Sequence, residues 1–270
     1  MRFSPLPRFV KYFLALILVI SLFIPLPFSI FLPGPATDVL GPVVKIPTRF
    51  TDKVPAPSGK LMLTTVSVST PDAQVFGLEV LVRWIQADGV VVPRSVVYEP
   101  NVDVKEVKKE SLAEMDGSQD NAIAAAFNYL NANEPALAPL LRSGELTSRQ
   151  IKFDIPNTGG PSGGLIFALG IIEKLDSAQL VNGRLIAGTG TINKKGEVGP
   201  IGGIEDKLIG AKRAGSTLFL APIDNCIDIT NIPDGLQVVA VSTLAEAVTL
   251  LKKPAQALAK LPPLSGCFGA

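Results

Sequence analysis

The sequence predicts an α/β domain carried behind an apolar membrane anchor, on three observations. From Ile151 onward, short β-like runs alternate with helix-length segments, the pattern of a sheet layered with helices. From Tyr12 to Thr37 no residue is charged, and the run YFLALILVISLFIPLPFSIFL is almost wholly apolar. The whole chain of 270 residues is 47% hydrophobic with a net charge of +1, enough to bury one large or two ordinary cores and the opposite of a disordered composition.

In chain order, residues 1–11 read as a cytoplasmic tail and 12–34 as a transmembrane helix. At about 1.5 Å per residue the apolar run spans roughly 30 Å, the thickness of a bilayer core. A cleaved signal peptide is the alternative, with Gly34-Pro35-Ala36 as a small-x-small site. The run is longer than the roughly 7–15 residues of a signal-peptide apolar region, which favours the anchor. Pro25 and Pro27 would kink its outer half. Arg2, Arg8 and Lys11 precede the run and Lys45 is the first basic residue after it, so the positive-inside rule places everything beyond the anchor outside the cell. Lys45, Arg49 and Lys53 reduce that contrast.

Residues 35–150 read as a linker and the N-terminal part of the extracytoplasmic region. Residues 35–59 are rich in Pro and Gly and read as a linker or an extended entry strand, Leu61–Val68 is a β-branched strand, and Gln74–Ala87 has helical spacing at Val75, Leu78, Val82 and Ile85. Val104–Leu130 suggests one or two helices broken near Asp116-Gly117, with Lys105, Glu106, Lys108, Lys109 and Glu110 on a solvated face. Residues 131–150 are polar and Pro-bearing, without strong periodicity. Residues 151–252 form the α/β core, with strands at Ile151–Ile155, Leu185–Ala187, Leu218–Leu220 and Val238–Val241 and helices at Leu165–Leu175, Ile204–Ala214 and Leu244–Lys252. Residues 253–270 are a C-terminal tail.

Composition removes several function classes. Basic and acidic residues number 25 and 24, so no positive surplus recommends nucleic acid as a partner. There is no histidine, so no Ser-His-Asp triad, Cys-His dyad or His-ligated zinc can exist, and a nucleophile must find another base. Cys226 and Cys267 can form one disulfide outside the cytoplasm, but their spacing does not decide whether they pair. The ending Ser265-Gly266-Cys267-Phe268-Gly269-Ala270 is a poor prenylation box, since Phe268-Gly269 is not an aliphatic pair, and reads as a frayed terminus.

Two glycine-rich stretches each precede a helix: Thr158-Gly159-Gly160-Pro161-Ser162-Gly163-Gly164 and Gly196-Glu197-Val198-Gly199-Pro200-Ile201-Gly202-Gly203. Neither ends in the Gly-Lys-Ser/Thr of a phosphate loop nor fits a dinucleotide fingerprint, so no nucleotide, other cofactor or metal is expected. On the helix after the second stretch, a wheel turned about 100° per residue from Ile204 puts Leu208, Ala211 and Ala214 on one apolar arc and Glu205, Asp206, Lys212 and Arg213 on the polar one. Lys207 falls inside the apolar arc. A lysine there can snorkel its head to water, or it can be desolvated, lose affinity for its proton and serve as a base. Ser162 taken alone fits a helix N-cap. A serine in a glycine-rich turn together with a buried lysine, in a chain without histidine, fits Ser-Lys acyl-transfer chemistry.

GGPSGG followed by GTGTINKKGEVGPIGGIEDKLIGAKRAG resembles the proteolytic domain of the Lon peptidase family, in order from about Phe153 to Lys252. The resemblance implies an α/β Lon-type proteolytic fold, a serine nucleophile at Ser162, a lysine base at Lys207, and Thr189 beside them helping to position the lysine. It implies an oxyanion-binding turn at Gly160, Pro161 and Gly163, protein or peptide substrates, and a homo-oligomeric ring. The N-terminal anchor, LTTVSVS and Met115-Asp116-Gly117-Ser118-Gln119 make the chain similar to the membrane-anchored Lon-like proteases of Gram-positive bacteria. It departs from that branch in having too few residues between Leu130 and Ile151 for the PDZ domain often found there, and from full Lon proteins in having no ATPase motif. The implied activity is an ATP-independent, membrane-anchored serine endopeptidase; a catalytically silent scaffold or a substrate-binding module on the same fold is the alternative. Asp154, just before the loop, is explained equally by solvation and takes no role.

Overall fold

The computed structural model describes residues 7–267 apart from 53, 87, 88, 101, 157, 177 and 178. Arg2, Lys53, Ala87 and the 268–270 end of the tail, all part of the expectations above, lie outside the described residues. In chain order the elements are α1 (Arg8–Leu22), β1 (Pro25–Leu26), β2 (Phe28–Asp38), β3 (Val44–Lys45), β4 (Lys60–Val68), β5 (Val75–Phe76), α2 (Gly77–Gln86), β6 (Val90–Pro93) and α3 (Arg94–Val97). There follow α4 (Val104–Asn133), α5 (Ala138–Arg142), β7 (Lys152–Phe153), α6 (Gly164–Leu175), β8 (Leu185–Gly188), β9 (Thr191–Ile192), β10 (Val198–Gly199), α7 (Ile204–Arg213), β11 (Leu218–Pro222), β12 (Gln237–Val241), α8 (Leu244–Leu251) and α9 (Ala255–Leu258). They fall into two compact units, one comprising the chain up to Leu32 with Ser67–Glu106, the other Pro33–Val66 with Val107 onward.

The second unit is built on a sheet ordered β12-β11-β8-β4-β2. β12, β11, β8 and β4 are mutually parallel, with registers such as Leu220↔Val239, Leu220↔Gly188 and Leu63↔Gly188. Alternate residues of each strand enter different hydrophobic clusters. Leu61, Leu63, Ile186, Leu218, Leu220, Val239 and Val241 pack with α4, α6 and α8. Met62, Ala187, Phe219, Ala221 and Val238 pack with Ile204, Leu208 and Ala211 of α7. A sheet covered on both faces must use both sets of its alternating side chains, which is why these strands read as continuous apolar runs rather than alternating ones. α6 is the central helix: Leu165, Ile166, Phe167, Ala168, Leu169, Ile171 and Ile172 are all fully buried.

Three expectations change here. α4 runs unbroken through Asp116-Gly117. A mid-helix glycine costs only about 1 kcal/mol relative to alanine, and the buried stripe Met115, Ser118, Ala122, Ile123, Ala126, Leu130 continues across it. The stretch 35–59, read as a linker or an extended entry strand, holds the end of β2 and β3, which pairs antiparallel with β7, and supplies core: Val39, Leu40, Val43, Val44 and Phe50 are buried. The 131–150 segment holds α5 and buries Leu146.

In the first unit, the expected membrane helix over 12–34 takes a different form. α1 ends at Leu22, and β1 and β2 occupy Pro25–Leu26 and Phe28–Asp38. Pro25 and Pro27 lack the N–H that an extended helix would use and their rings clash with the preceding turn, so the run stops instead of kinking. Its 15 residues reach only about 22 Å, and among the described residues no helix is long and apolar enough to cross a membrane. The start of β2 instead pairs antiparallel with β6, Phe28↔Pro93 through Phe31↔Val90.

Cys226 and Cys267 form a disulfide with their Cα atoms 5.5 Å apart. It fastens the C-terminal tail beside β12, where Ala240 N–H donates to the Ser265 carbonyl at 2.8 Å. The bond closes a loop of 41 residues in sequence separation, and removing such a cross-link frees the unfolded chain by about 2–4 kcal/mol. Cys226→Ser with Cys267→Ser is expected to lower the unfolding free energy by that amount, read from the urea midpoint under non-reducing conditions, and a reductant is expected to have no further effect on the variant.

Candidate active site

The first glycine-rich stretch forms the turn into α6 and is held against α4. Gly160 has φ +84°, a left-handed conformation that glycine adopts without strain. Its N–H donates to the Ser111 carbonyl at 2.8 Å. At Gly159 the backbone comes close to α4: a Cβ would lie 2.1 Å from Ser111 Oγ and 3.0 Å from Ser111 Cβ, so a larger residue would force the Ser111 side chain to move. The buried Ser118 hydroxyl donates to the Pro161 carbonyl at 2.8 Å. Gly163 is the residue before the helix.

Ser162 sits half-buried between these anchors. Its carbonyl accepts two hydrogen bonds, from Gly190 N–H at 2.8 Å and from Thr189 Oγ1 at 3.0 Å. Thr189 is fully buried directly after β8, and its own N–H donates to the Leu220 carbonyl of β11 at 3.1 Å. The structure therefore brings Thr189 onto the serine: the bond it shows fixes the Ser162 backbone, where the sequence reading had the threonine positioning the lysine.

Lys207 is reached from the other side of the sheet. After β8 the chain makes the antiparallel hairpin β9–β10, crosses through α7 and returns as β11, parallel to β8. In such a crossover the helix starts at the carboxyl end of the first strand. Two contacts locate that start. Gly203, with φ +65°, lies against Val66, whose Cγ2 would be 2.8 Å from a Cβ there; Val66 is past the Leu63↔Gly188 register on the carboxyl side. Asn225, after β11, clamps Ile201, accepting from its N–H at 2.9 Å and donating to its carbonyl at 2.8 Å. Lys207, in the first turn of α7, thus stands at the same carboxyl end of the strands as Thr189 and the Ser162 turn.

Lys207 is 3% exposed, so its head does not snorkel to solvent. Burial pushes its amine from 10.5 down to about 8. An amine of pKa about 8 is neutral in roughly one molecule in ten at pH 7, against about one in 3,000 for a free lysine. The wheel's placement of Glu205 on the open side holds, with its carboxylate accepting from Thr230 N–H at 3.1 Å. Asp206 does not follow the wheel and is buried; the first turn of a helix, with its unpaired N–H groups, favours a carboxylate.

Asp154 is exposed and pairs with Lys45 at 2.7 Å, the solvated loop carboxylate the sequence suggested. Ser111 and Ser118 were missed as parts of the site, although one signal was available. Ser111, Met115, Ser118 and Ala122 share a helical face, and a polar side chain on an apolar stripe is the same anomaly that singled out Lys207. Among the described residues no cluster of His, Cys, Asp and Glu could hold a metal.

This arrangement, a serine turn at the head of a buried helix with a desolvated lysine at the same end of a parallel sheet, defines a proteolytic class that comparison makes specific. Residues 107–253 match the family described as the Lon protease (S16) C-terminal proteolytic domain. The chain belongs to that family. It is 34% identical over 132 residues to Lon protease 1 of Sorangium cellulosum, covering 46% of this chain and 16% of that protein. With the Lon protease of Azorhizobium caulinodans it shares 30% identity over 191 residues, 66% of this chain and 20% of that protein. Against Lon protease 1 of Bacillus subtilis the identity is 40% over 78 residues, 29% of this chain and 10% of that protein. The match thus spans a fifth or less of the length of these relatives.

The desolvated amine has a cost in stability. Its folded pKa of about 8 is below the free value of 10.5, so the folded state binds fewer protons than the unfolded state between those limits. Stability is therefore lowered below pH 8 and recovers as pH rises from 8 towards 10.5. Lys207→Met is expected to be more stable than wild type by up to about 3 kcal/mol at pH 7, with the difference shrinking across that window. Urea unfolding at several pH values measures it.

Proposed function

We propose that the chain is a serine endopeptidase working through a Ser162–Lys207 dyad, attached to a membrane by its apolar N-terminal segment, with the catalytic unit on the extracytoplasmic side. The observation that carries the reading is the buried Lys207 amine, brought to about 8 at the strand ends where the Ser162 turn also lies. Neutral Lys207 Nζ takes the proton from Ser162 Oγ as the oxygen bonds to the peptide carbonyl carbon. Negative charge then develops on the carbonyl oxygen. Gly160 has given its N–H to Ser111 and Pro161 has none, so these two shape the turn, and the N–H groups of Ser162 and Gly163 at the head of α6 receive the oxyanion. The C–N bond breaks as Lys207 returns its proton to the leaving amine. Water, deprotonated by the same lysine, then releases the acyl group and restores Ser162.

Thr189, by holding the Ser162 carbonyl, keeps the nucleophile in register with the sheet. The chain carries no nucleotide-binding motif, so cleavage of an unfolded peptide proceeds without ATP, and folded proteins resist. Substrates are unfolded or regulatory proteins outside the cell, and the working form is a homo-oligomeric ring. The Cys226–Cys267 disulfide supports an oxidising compartment. Arg8 and Lys11 ahead of the apolar run support the orientation. Membrane attachment rests on that run, exposed along α1.

Lys207→Arg tests the dyad, because guanidinium keeps the charge and cannot deprotonate. It is expected to abolish cleavage of an unfolded peptide as fully as Ser162→Ala, a loss of at least about 10²-fold, while Lys212→Arg on the same helix stays near wild type. An arginine variant that folds and keeps a tenth of its activity refutes the dyad. The wild-type rate is expected to rise with pH through about 8, as the amine of Lys207 loses its proton, and to be indifferent to ATP with magnesium.

A further inference from the structure

In the first unit, α2 is amphipathic with its apolar side outward. On a wheel of about 100° per residue, Trp84, Leu81, Ile85, Leu78 and Val82 fill one arc of roughly 160°, and Glu79, Arg83 and Gln86 lie opposite. All five apolar residues are exposed, Trp84 at 79% and Ile85 at 71%. A helix ordinarily turns such an arc to its core, so this one is built to meet something else.

The neighbour says what. α2 begins against the end of α1: a Cβ on Gly77 would lie 2.5 Å from the Ser21 carbonyl oxygen. α1 has no buried residue, and the consecutive side chains Leu16, Ile17, Leu18, Val19 and Ile20 are all exposed, which covers every side of the helix. A groove in a protein covers one side of a helix; an apolar solvent covers all of them. Phe23 and Ile24 continue the exposed surface past the end of α1. Trp84 stands near one margin of the arc, with only the half-buried Val80 between it and Arg83, and an indole with an apolar body and a polar N–H suits the boundary between acyl chains and headgroups. Glu79 and Arg83 give the polar side no net charge, so anionic headgroups are not required.

We propose that α2 is a second membrane contact: it lies in the headgroup–acyl boundary of the bilayer that receives α1, with Leu78, Leu81, Val82, Trp84 and Ile85 in lipid. The inference rests on the proposed membrane attachment and adds a face that the apolar N-terminal run does not contain. Helices of this kind sink by about 5–10 Å, which puts Trp84 within reach of the upper acyl chains.

Trp84 is the chain's single tryptophan, so its fluorescence reports on α2 alone. The full chain is reconstituted in phosphatidylcholine vesicles, plain or brominated in the upper acyl chain, and floated on a density gradient. Expected are flotation, a blue-shifted emission, and a brominated-lipid signal reduced by roughly half, equal with and without added phosphatidylglycerol. Leu81→Asp with Ile85→Asp is expected to keep flotation through α1 and full cleavage of a soluble peptide, while the quenching falls severalfold. Flotation without quenching overturns the role of α2 and leaves the attachment standing. Failure to float overturns the attachment, and this inference with it. A blue shift that grows with protein concentration in detergent, without quenching by lipid, identifies a second copy of the chain as the occupant and likewise overturns the proposal.

Discussion

Keeping water from a lysine amine brings its deprotonation towards neutral pH, and in this chain the exclusion comes from α7 lying on the sheet. Ile204, Leu208 and Ala211 pack onto Met62, Ala187 and Phe219, and the lysine between them is drawn under the same cover. The penalty on its charged form leaves a fraction of the amine neutral near neutral pH and so free to accept a proton. That penalty is tolerable because the surrounding unit is over-determined: four parallel strands, two apolar faces, and a central helix with scarcely an exposed atom.

The serine side of the site answers to a different constraint. Its turn buries no large apolar side chain, so it is located by hydrogen bonds to two segments: Ser111 and Ser118 on α4, and Thr189 and Gly190 in the loop after β8. Each neutral bond contributes only about 1 kcal/mol net, but together they fix the Ser162 backbone, and in the proposed dyad a nucleophile displaced by about 1 Å would lose some 10²-fold in rate. The glycines make this density of contacts sterically possible.

The disulfide and the tail show the same economy at the edge of the sheet. β12 is the last strand in the order, and an open edge invites unwanted pairing. The short bridge Val239↔Ser265, fastened through Cys267 to Cys226, covers part of it. The 3-10 turn that holds Cys226 also holds Asn225, whose amide clamps the loop before α7.

Local pattern was enough for the parts of this protein whose signal is local. The strands β4, β8, β11 and β12 and the helices α6, α7 and α8 follow from apolar runs and helical spacing, and Lys207 stood out because its own helix placed it among apolar neighbours. The absence of histidine suggested pairing that lysine with Ser162, and resemblance gave the two their roles. Tertiary structure decided the rest. Residues 35–59, rich in proline and glycine, look like linker because their burial depends on α6, more than a hundred residues away in sequence. α4 stays whole at Gly117 because the partners of its buried stripe outweigh a local propensity. The apolar run at 12–34 divides into helix and strand because two prolines end the helix and β6 offers the remainder a sheet edge. Ser118 and the Cys226–Cys267 bond gained their roles, and Thr189 its partner, only when distant segments met. Periodicity records which side of an element is covered; what covers it is a property of the fold.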